Sequence, residues 1–342
     1  MIPQRKGAER RAAGFRNSKG PQSAAAACAH AGGGILKGIW YLVMNRNRSG
    51  QLTGAALLLL TAFIWGCAFV AQSVAMDNIG PFSFCMARFL ISGVILFPVI
   101  WFRHYTGIDA FRRYSPGRPR ATVRGSVIAG MICGVFLFLG AGLQQVGVQY
   151  TTAGNAGFLT ALYIILVPIY SIFLGKRPKR TIWIAALLAM SGMYLLCIDG
   201  RLTLSRGDLF CILCALAFPC QILALEYYVQ RVDAIVLSSA QFLTVGAIAA
   251  VFAFTLETPA FSQVRAALVP ILYAGVMSGG IAYTLQAVGQ QKMQNASAAS
   301  LIMSLEAVFA ALAGIVLLHE AVSPRKLLGC VIMFAAIILA QV

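Results

Sequence analysis

Ten apolar stretches, each close to the length of a bilayer-crossing helix, alternate with short polar breaks along the chain: 52–73, 82–102, 125–147, 153–175, 181–198, 208–228, 235–255, 267–288, 295–318 and 325–341. An α-helix rises about 1.5 Å per residue, so about 20 apolar residues cross the roughly 30 Å of hydrocarbon in a bilayer. Helix is the expected state of every stretch, because an open sheet would leave backbone N–H and C=O groups unpaired in lipid. The breaks at 148–152 and 289–295 are the least marked.

The ten stretches are one unit written twice. Residues 86–93, Met-Ala-Arg-Phe-Leu-Ile-Ser-Gly, return at 239–246 as Ser-Ala-Gln-Phe-Leu-Thr-Val-Gly, an offset of 153 residues. Leu143-Gln144-Gln145-Val146-Gly147 returns at 285–289 with an offset of 142, and the basic stretch Arg103 to Arg124 supplies the extra residues of the first copy. Gly54 to Trp65 parallels Gly207 to Phe218, Leu162-Tyr163 parallels Leu305-Glu306, and Thr181 to Cys197 parallels Arg325 to Gln341. Five helices per copy is an odd number, so the second copy enters the membrane from the opposite side. The expected fold is therefore an all-α polytopic membrane protein of ten transmembrane helices in two inverted five-helix repeats, 52–198 and 199–342, after a basic leader, 1–51, expected to be disordered. An internal repeat in a strongly apolar chain is the sign of a secondary transporter with its substrate site between the halves.

Composition agrees with a bilayer. Hydrophobic residues make up 59% of the chain, charged residues 11%, and the mean hydropathy is +0.80; a soluble globule carries roughly a quarter charged residues. The net charge of +17 lies mainly in the leader and the polar breaks. Placing residues 44–51 in the cytoplasm puts fourteen Lys and Arg on the inner side and five in the outer loops, which orients the chain in the inner (plasma) membrane with both termini cytoplasmic. Basic loops of this kind suit topology and anionic lipid, and no basic domain or aromatic platform for nucleic acid is present. For residues 1–43 two readings stand: a disordered or over-extended start ahead of Met44, and an Arg-rich transit peptide.

Eight of the nine cysteines fall inside apolar stretches, where Cys acts as a small apolar residue, and the three histidines lie far from Cys211-x-x-Cys214. No metal site and no cofactor are expected. Catalytic motifs are missing too, with no Gly-x-Ser-x-Gly, no His-Glu-x-x-His and no phosphate-cradling glycine loop. An enzyme is not expected.

Four stretches carry a family resemblance: Thr61-Ala62-Phe63-Ile64-Trp65-Gly66, Ala87-Arg88-Phe89-Leu90, Asn155-Ala156-Gly157-Phe158-Leu159 leading into Val167-Pro168, and Ser304-Leu305-Glu306-Ala307-Val308-Phe309. From about Thr53 to Gln341 the chain resembles the drug/metabolite transporter superfamily, in particular its ten-helix EamA-type branch. It departs from the family pattern at Ala307, where proline is common, and at Gly175-Lys176-Arg177 and His319-Glu320-Ala321, where Gly-Glu-Arg is common. The resemblance implies a central cavity, open alternately to either side, lined by helices one, three, four, six, eight and nine. It also implies export rather than import.

The residues argue for that cavity independently, since polar side chains inside spans are costly and face the bundle interior or water. Glu306, near the midplane, reads either as a proton- or cation-coupling carboxylate or as a scaffold acid bonded to a neighbouring helix. Tyr163 is its repeat equivalent, and Gln144 and Gln286 are equivalents in helices three and eight. Tyr283 lies one turn before Gln286, and Asn155 shares a face with Tyr163. Together with Trp65 these form the candidate cavity, against the alternative of interhelical hydrogen bonds worth about 0.6 kcal/mol each. Arg88 belongs at the outer mouth or in a structural, snorkelling role. Pro168 and Pro219 mark candidate gating bends. Gly130-x-x-x-Gly134 and Gly275-x-x-x-Gly279 read as close helix-packing sites.

The expected function is alternating-access transport of a small polar or amphipathic metabolite, amino acid or drug-like, with the bilayer as surroundings and a coupling proton or other ion as driving force. The competing expectation is a non-transporting intramembrane enzyme or assembly factor built on the same helices.

Overall fold

The structure, a computed structural model, describes residues 50–106, 122–151, 153–197, 205–318 and 324–341. The leader up to residue 49 and most of the basic loop between the second and third spans lie outside the described residues. All regular structure among those described is helical. The helices are α1 (Gly50–Met76), α2 (Pro81–Ile95), α3 (Phe97–Tyr105), α4 (Val123–Tyr150), α5 (Ala153–Thr160), α6 (Tyr163–Phe173), α7 (Arg180–Cys197), α8 (Arg206–Val229) and α9 (Ala234–Leu256). After these come α10 (Phe261–Ala266), α11 (Leu268–Leu272), a π-helical segment (Tyr273–Tyr283), α12 (Thr284–Met293), α13 (Ala296–Met303), α14 (Glu306–Leu318) and α15 (Pro324–Gln341).

Eight of these runs are long and apolar enough to cross a membrane, and they fall on eight of the ten apolar stretches. The other two stretches are α7, whose apolar part Arg180–Leu195 is shorter, and α15. These two pack on each other so closely that a side chain at Gly192 would meet the Gly329 carbonyl at 2.8 Å.

Local chemistry sets where the helices begin. Asp233 and Asn295 accept from the first-turn amides of α9 and α13, and Ser205 and Asp208 exchange side-chain and backbone bonds at the start of α8. At α2, Gly80 offers no side chain to cap the helix, and Pro81 sits in its first turn. The acceptor there is Glu257 at the end of α9, whose carboxylate takes the Phe82 and Ser83 N–H groups at 2.8 Å and the Ser83 hydroxyl at 2.5 Å. Gln294, with φ of 54°, turns the chain out of α12.

Glycines set the close approaches, and they do so reciprocally. A side chain at Gly54 on α1 would meet Gly289 O at 2.9 Å, and one at Gly207 on α8 would meet Gly147 O at 2.7 Å. Gly207 stands 153 residues after Gly54, and Gly289 stands 142 after Gly147, so the same contact is made twice. Gly93 on α2 meets Leu243, and Gly246 on α9 meets Leu90, again the same pair in both senses. Gly130 and Gly134 bring α4 against α9, and Gly275 and Gly279 bring the π-segment against α2.

Two spans are broken, and at equivalent points. Between α5 and α6, Leu162 N bonds Leu159 O at 3.3 Å and Ile164 N bonds Ala161 O at 3.0 Å. Between α13 and α14, Leu305 N bonds Ile302 O at 3.1 Å and Ala307 N bonds Ser304 O at 3.2 Å. Each is a tight three-residue step that interrupts the four-residue helical ladder, and a mid-helix step of that kind commonly marks a functional hinge. Pro168 and Pro219 were the expected bends. Helical structure continues through both, and the break in the fourth span lies upstream of Pro168, at Ala161-Leu162.

Candidate functional site

The breaks position the central pair of the site. Tyr163 opens α6 and Glu306 opens α14, so each enters the bundle at the start of a half-helix, and the Tyr163 hydroxyl donates to Glu306 Oε1 at 3.3 Å. Both are buried. Around them lies a narrow cavity of about 40 Å³, room for a few waters in this conformation.

Five pairs of repeat equivalents line this cavity: Trp65 and Phe218, Phe69 and Ile222, Gln144 and Gln286, Thr160 and Met303, Tyr163 and Glu306. Of the residues singled out from sequence, Trp65, Gln144, Tyr163, Tyr283, Gln286 and Glu306 are brought together here. Asn155 falls in α5, and its side chain lies outside the described residues. Arg88 lines the same cavity and does not snorkel. It is 4% exposed, and its Nη1 donates to Gln72 Oε1 at 2.9 Å.

Five lining residues have no counterpart in the other half of the wall: Gln72, Arg88, Gln221, Ser278 and Tyr283. Sequence reading passed over Gln72, Gln221, Thr160 and Ser278, although the amides at 72 and 221 carry the same signal as Gln144, a polar group inside an apolar stretch. Phe69 and Phe218 carry no such signal.

The wall is held by few bonds. Gln144 Nε2 donates to Thr160 Oγ1 at 3.4 Å, and Trp65 Nε1 donates to the Ser278 carbonyl at 3.2 Å. That carbonyl belongs to the π-helical segment, whose wide turns offer oxygens to neighbours: Thr61 Oγ1 donates to Ala282 O at 3.1 Å, and Ser92 Oγ to Gly275 O at 2.7 Å. π-Helical turns occur frequently at functional sites. The Trp65 and Tyr283 rings pack at 4.6 Å between centroids, forming a continuous aromatic surface. Gln286 Oε1 has no partner among the described residues.

At one end of the bundle two ion pairs join the halves, among other polar bonds. Glu226 on α8 pairs with Lys176 after α6 and accepts the Ala296 N–H that begins α13 at 3.0 Å. Beside it, Arg103 pairs with Asp233 at 3.3 Å, and Gln230 Nε2 donates to Gln291 O at 2.8 Å.

The comparisons with known proteins match the whole helical part of the chain. The model of the EamA-like transporter family matches it twice, over residues 52–198 and 205–341. The chain belongs to the EamA-like transporter family. It is similar to an uncharacterized transporter of Archaeoglobus fulgidus, at 30% identity over 83% of this chain and 84% of the relative. It is also similar to the uncharacterized transporters YoaV (23%) and YwfM (25%) of Bacillus subtilis, each over 82% of this chain and 94% and 91% of the relative. A solved crystal structure shares the fold, with a TM-score of 0.66 and 19% identity over 84% of this chain and 96% of that one. The EamA-like protein is thus a multi-pass membrane protein of a transporter family.

Proposed function

We propose that this EamA-like protein is a secondary transporter that moves a small polar or amphipathic metabolite through its central cavity by alternating access. In this reading ten spans form two inverted repeats, 52–198 and 199–342, in the inner (plasma) membrane with both termini cytoplasmic, and the net direction is export. One observation carries it: five pairs of repeat equivalents line a single cavity. A site built from both halves of an inverted repeat lies on the pseudo-two-fold axis, where rocking one half against the other exposes it to either side in turn. The reciprocal glycine contacts and the equivalent breaks at 161–162 and 304–305 support the same reading.

Driving force in this reading comes from an ion gradient, with Glu306 as the coupling carboxylate. Purified protein in proteoliposomes, loaded with a pooled set of amino acids and drug-like amphiphiles, tests it by counterflow. Exchange of at least one compound above protein-free liposomes is expected. No exchange across the pool, with the protein folded and inserted, favours the non-transporting scaffold.

A further inference from the structure

Charge is what separates Arg88 from its repeat counterpart. On α9 that counterpart is Gln241, 153 residues on. Each side chain reaches a glutamine on the neighbouring helix: Arg88 donates to Gln72 of α1 at 2.9 Å, and Gln241 accepts from Gln221 of α8 at 3.4 Å. Both are buried, at 4% and 1% exposure. The second half therefore ties its helices together with two neutral amides, so the tie gives no reason for a guanidinium.

Arginine does not shed its proton, and a buried cation is costly unless it is paired and fully hydrogen-bonded. Arg88 is neither. Among the described residues it forms no ion pair, its Nε has no partner, and Nη2 reaches only Cys85 Sγ at 3.7 Å. Glu306, the one carboxyl group lining the cavity, accepts from Tyr163. The Phe84 and Phe89 rings, with centroids 5.3 and 4.6 Å from the guanidinium carbon, fix the plane of the group without neutralising it. A planar cation held by aromatic faces and short of acceptors matches a carboxylate, which an arginine fork grips through two parallel bonds.

We propose that Arg88 recognises a carboxylate on the transported molecule, a small monocarboxylate whose apolar remainder packs on the Trp65 and Tyr283 rings. The proposal rests on the transport reading of the cavity. A single anionic group is specified because Arg88 is the one cation among the lining residues, and a second anion would approach Glu306.

The test uses full-length protein in detergent and titration calorimetry with propionate and 3-phenylpropionate, each against its primary amide, and with 2-phenylethylammonium. At least one carboxylate should bind tenfold or more tighter than its amide. That preference should fall below twofold in Arg88→Gln and survive in part in Arg88→Lys. Equal binding of acid and amide in the wild type, a preference for the ammonium, or no binding by either acid overturns the proposal without any variant having to fold. A preference that persists in Arg88→Gln overturns the assignment to Arg88. Counterflow of the same probes separates the two readings. If the amides or the ammonium exchange and the acids do not, transport stands and the carboxylate assignment falls. If the acids bind in an Arg88-dependent way and nothing exchanges, the transport reading fails.

Discussion

Replacing Glu306 with glutamine removes one titrating group and little else. The side chain keeps its length and its carbonyl oxygen, so the Tyr163 hydroxyl, 3.3 Å away in the native protein, still has an acceptor. The change costs about 1 kcal/mol or less by the usual worth of a hydrogen bond, and the variant should fold and insert. Its effect on coupling is larger. Glu306 is the one carboxylic acid among the residues lining the cavity, so the coupling reading allows one proton per cycle. Each unit of pH across the membrane is then worth about 1.4 kcal/mol, or up to about tenfold accumulation of substrate at zero membrane potential. Two units should give up to about a hundredfold in wild-type proteoliposomes and a ratio near one in Glu306→Gln, while exchange at equal pH continues. A variant that accumulates substrate to the wild-type ratio refutes the coupling role and leaves Glu306 as scaffold.

Three further outcomes follow from contacts outside the cavity. Glu226→Gln keeps an acceptor for the Ala296 N–H and loses the ion pair to Lys176; with the lysine half exposed the pair is worth about 1 kcal/mol at most. A cysteine at buried Ser297, behind this tie, should react up to about fivefold faster with a membrane-impermeant maleimide, and an unchanged rate would show that the tie does not hold that end closed. Glu257→Ala strips the α2 start of its only acceptor among the described residues and should cost about 1–2 kcal/mol, with Glu257→Gln intermediate, in thermal unfolding. Valine at Gly54 or at Gly207 forces a side chain against a carbonyl under 3 Å away and should destabilise by about 1–3 kcal/mol at both sites. Alanine at Gly157, where nothing lies within 4 Å, serves as the comparison; a large difference between the two valine variants would contradict the reciprocity of the contacts.

Apolar runs and offsets made most of the frame legible, since the bilayer tolerates little else and a duplicated unit repeats its glycines. Polar residues inside spans pointed to Gln144, Tyr163, Tyr283, Gln286 and Glu306, and the same rule applied evenly would have returned Gln72, Gln221 and Glu226. Glu257 was harder to find, because its role depends on α2 beginning at a bare Gly80, a partner that sequence distance conceals. The helix breaks at Ala161-Leu162 and Ser304-Leu305 left no mark of the kind that a proline leaves. Ala161-Leu162 and Ser304-Leu305 hold no residue that forbids a helix, so the step there is set by packing around Tyr163 and Glu306 and not by local propensity. Arg88 was read by its distance from the membrane surface, which says nothing of the Gln72 and aromatic neighbours that keep it inside.

The paired glycine contacts give the protein a division of labour in its own heredity. Gly54 with Gly289 and Gly207 with Gly147 fix the same helix spacing twice, each time across the two halves, so a change at one of these positions disturbs one contact and leaves its twin intact. The side chains of Arg88 and Gln241, which take no part in those two contacts, already differ. The two halves can therefore diverge in what they present to the cavity while sharing one frame, and the first place to look for such divergence in any relative is wherever the two halves disagree across it.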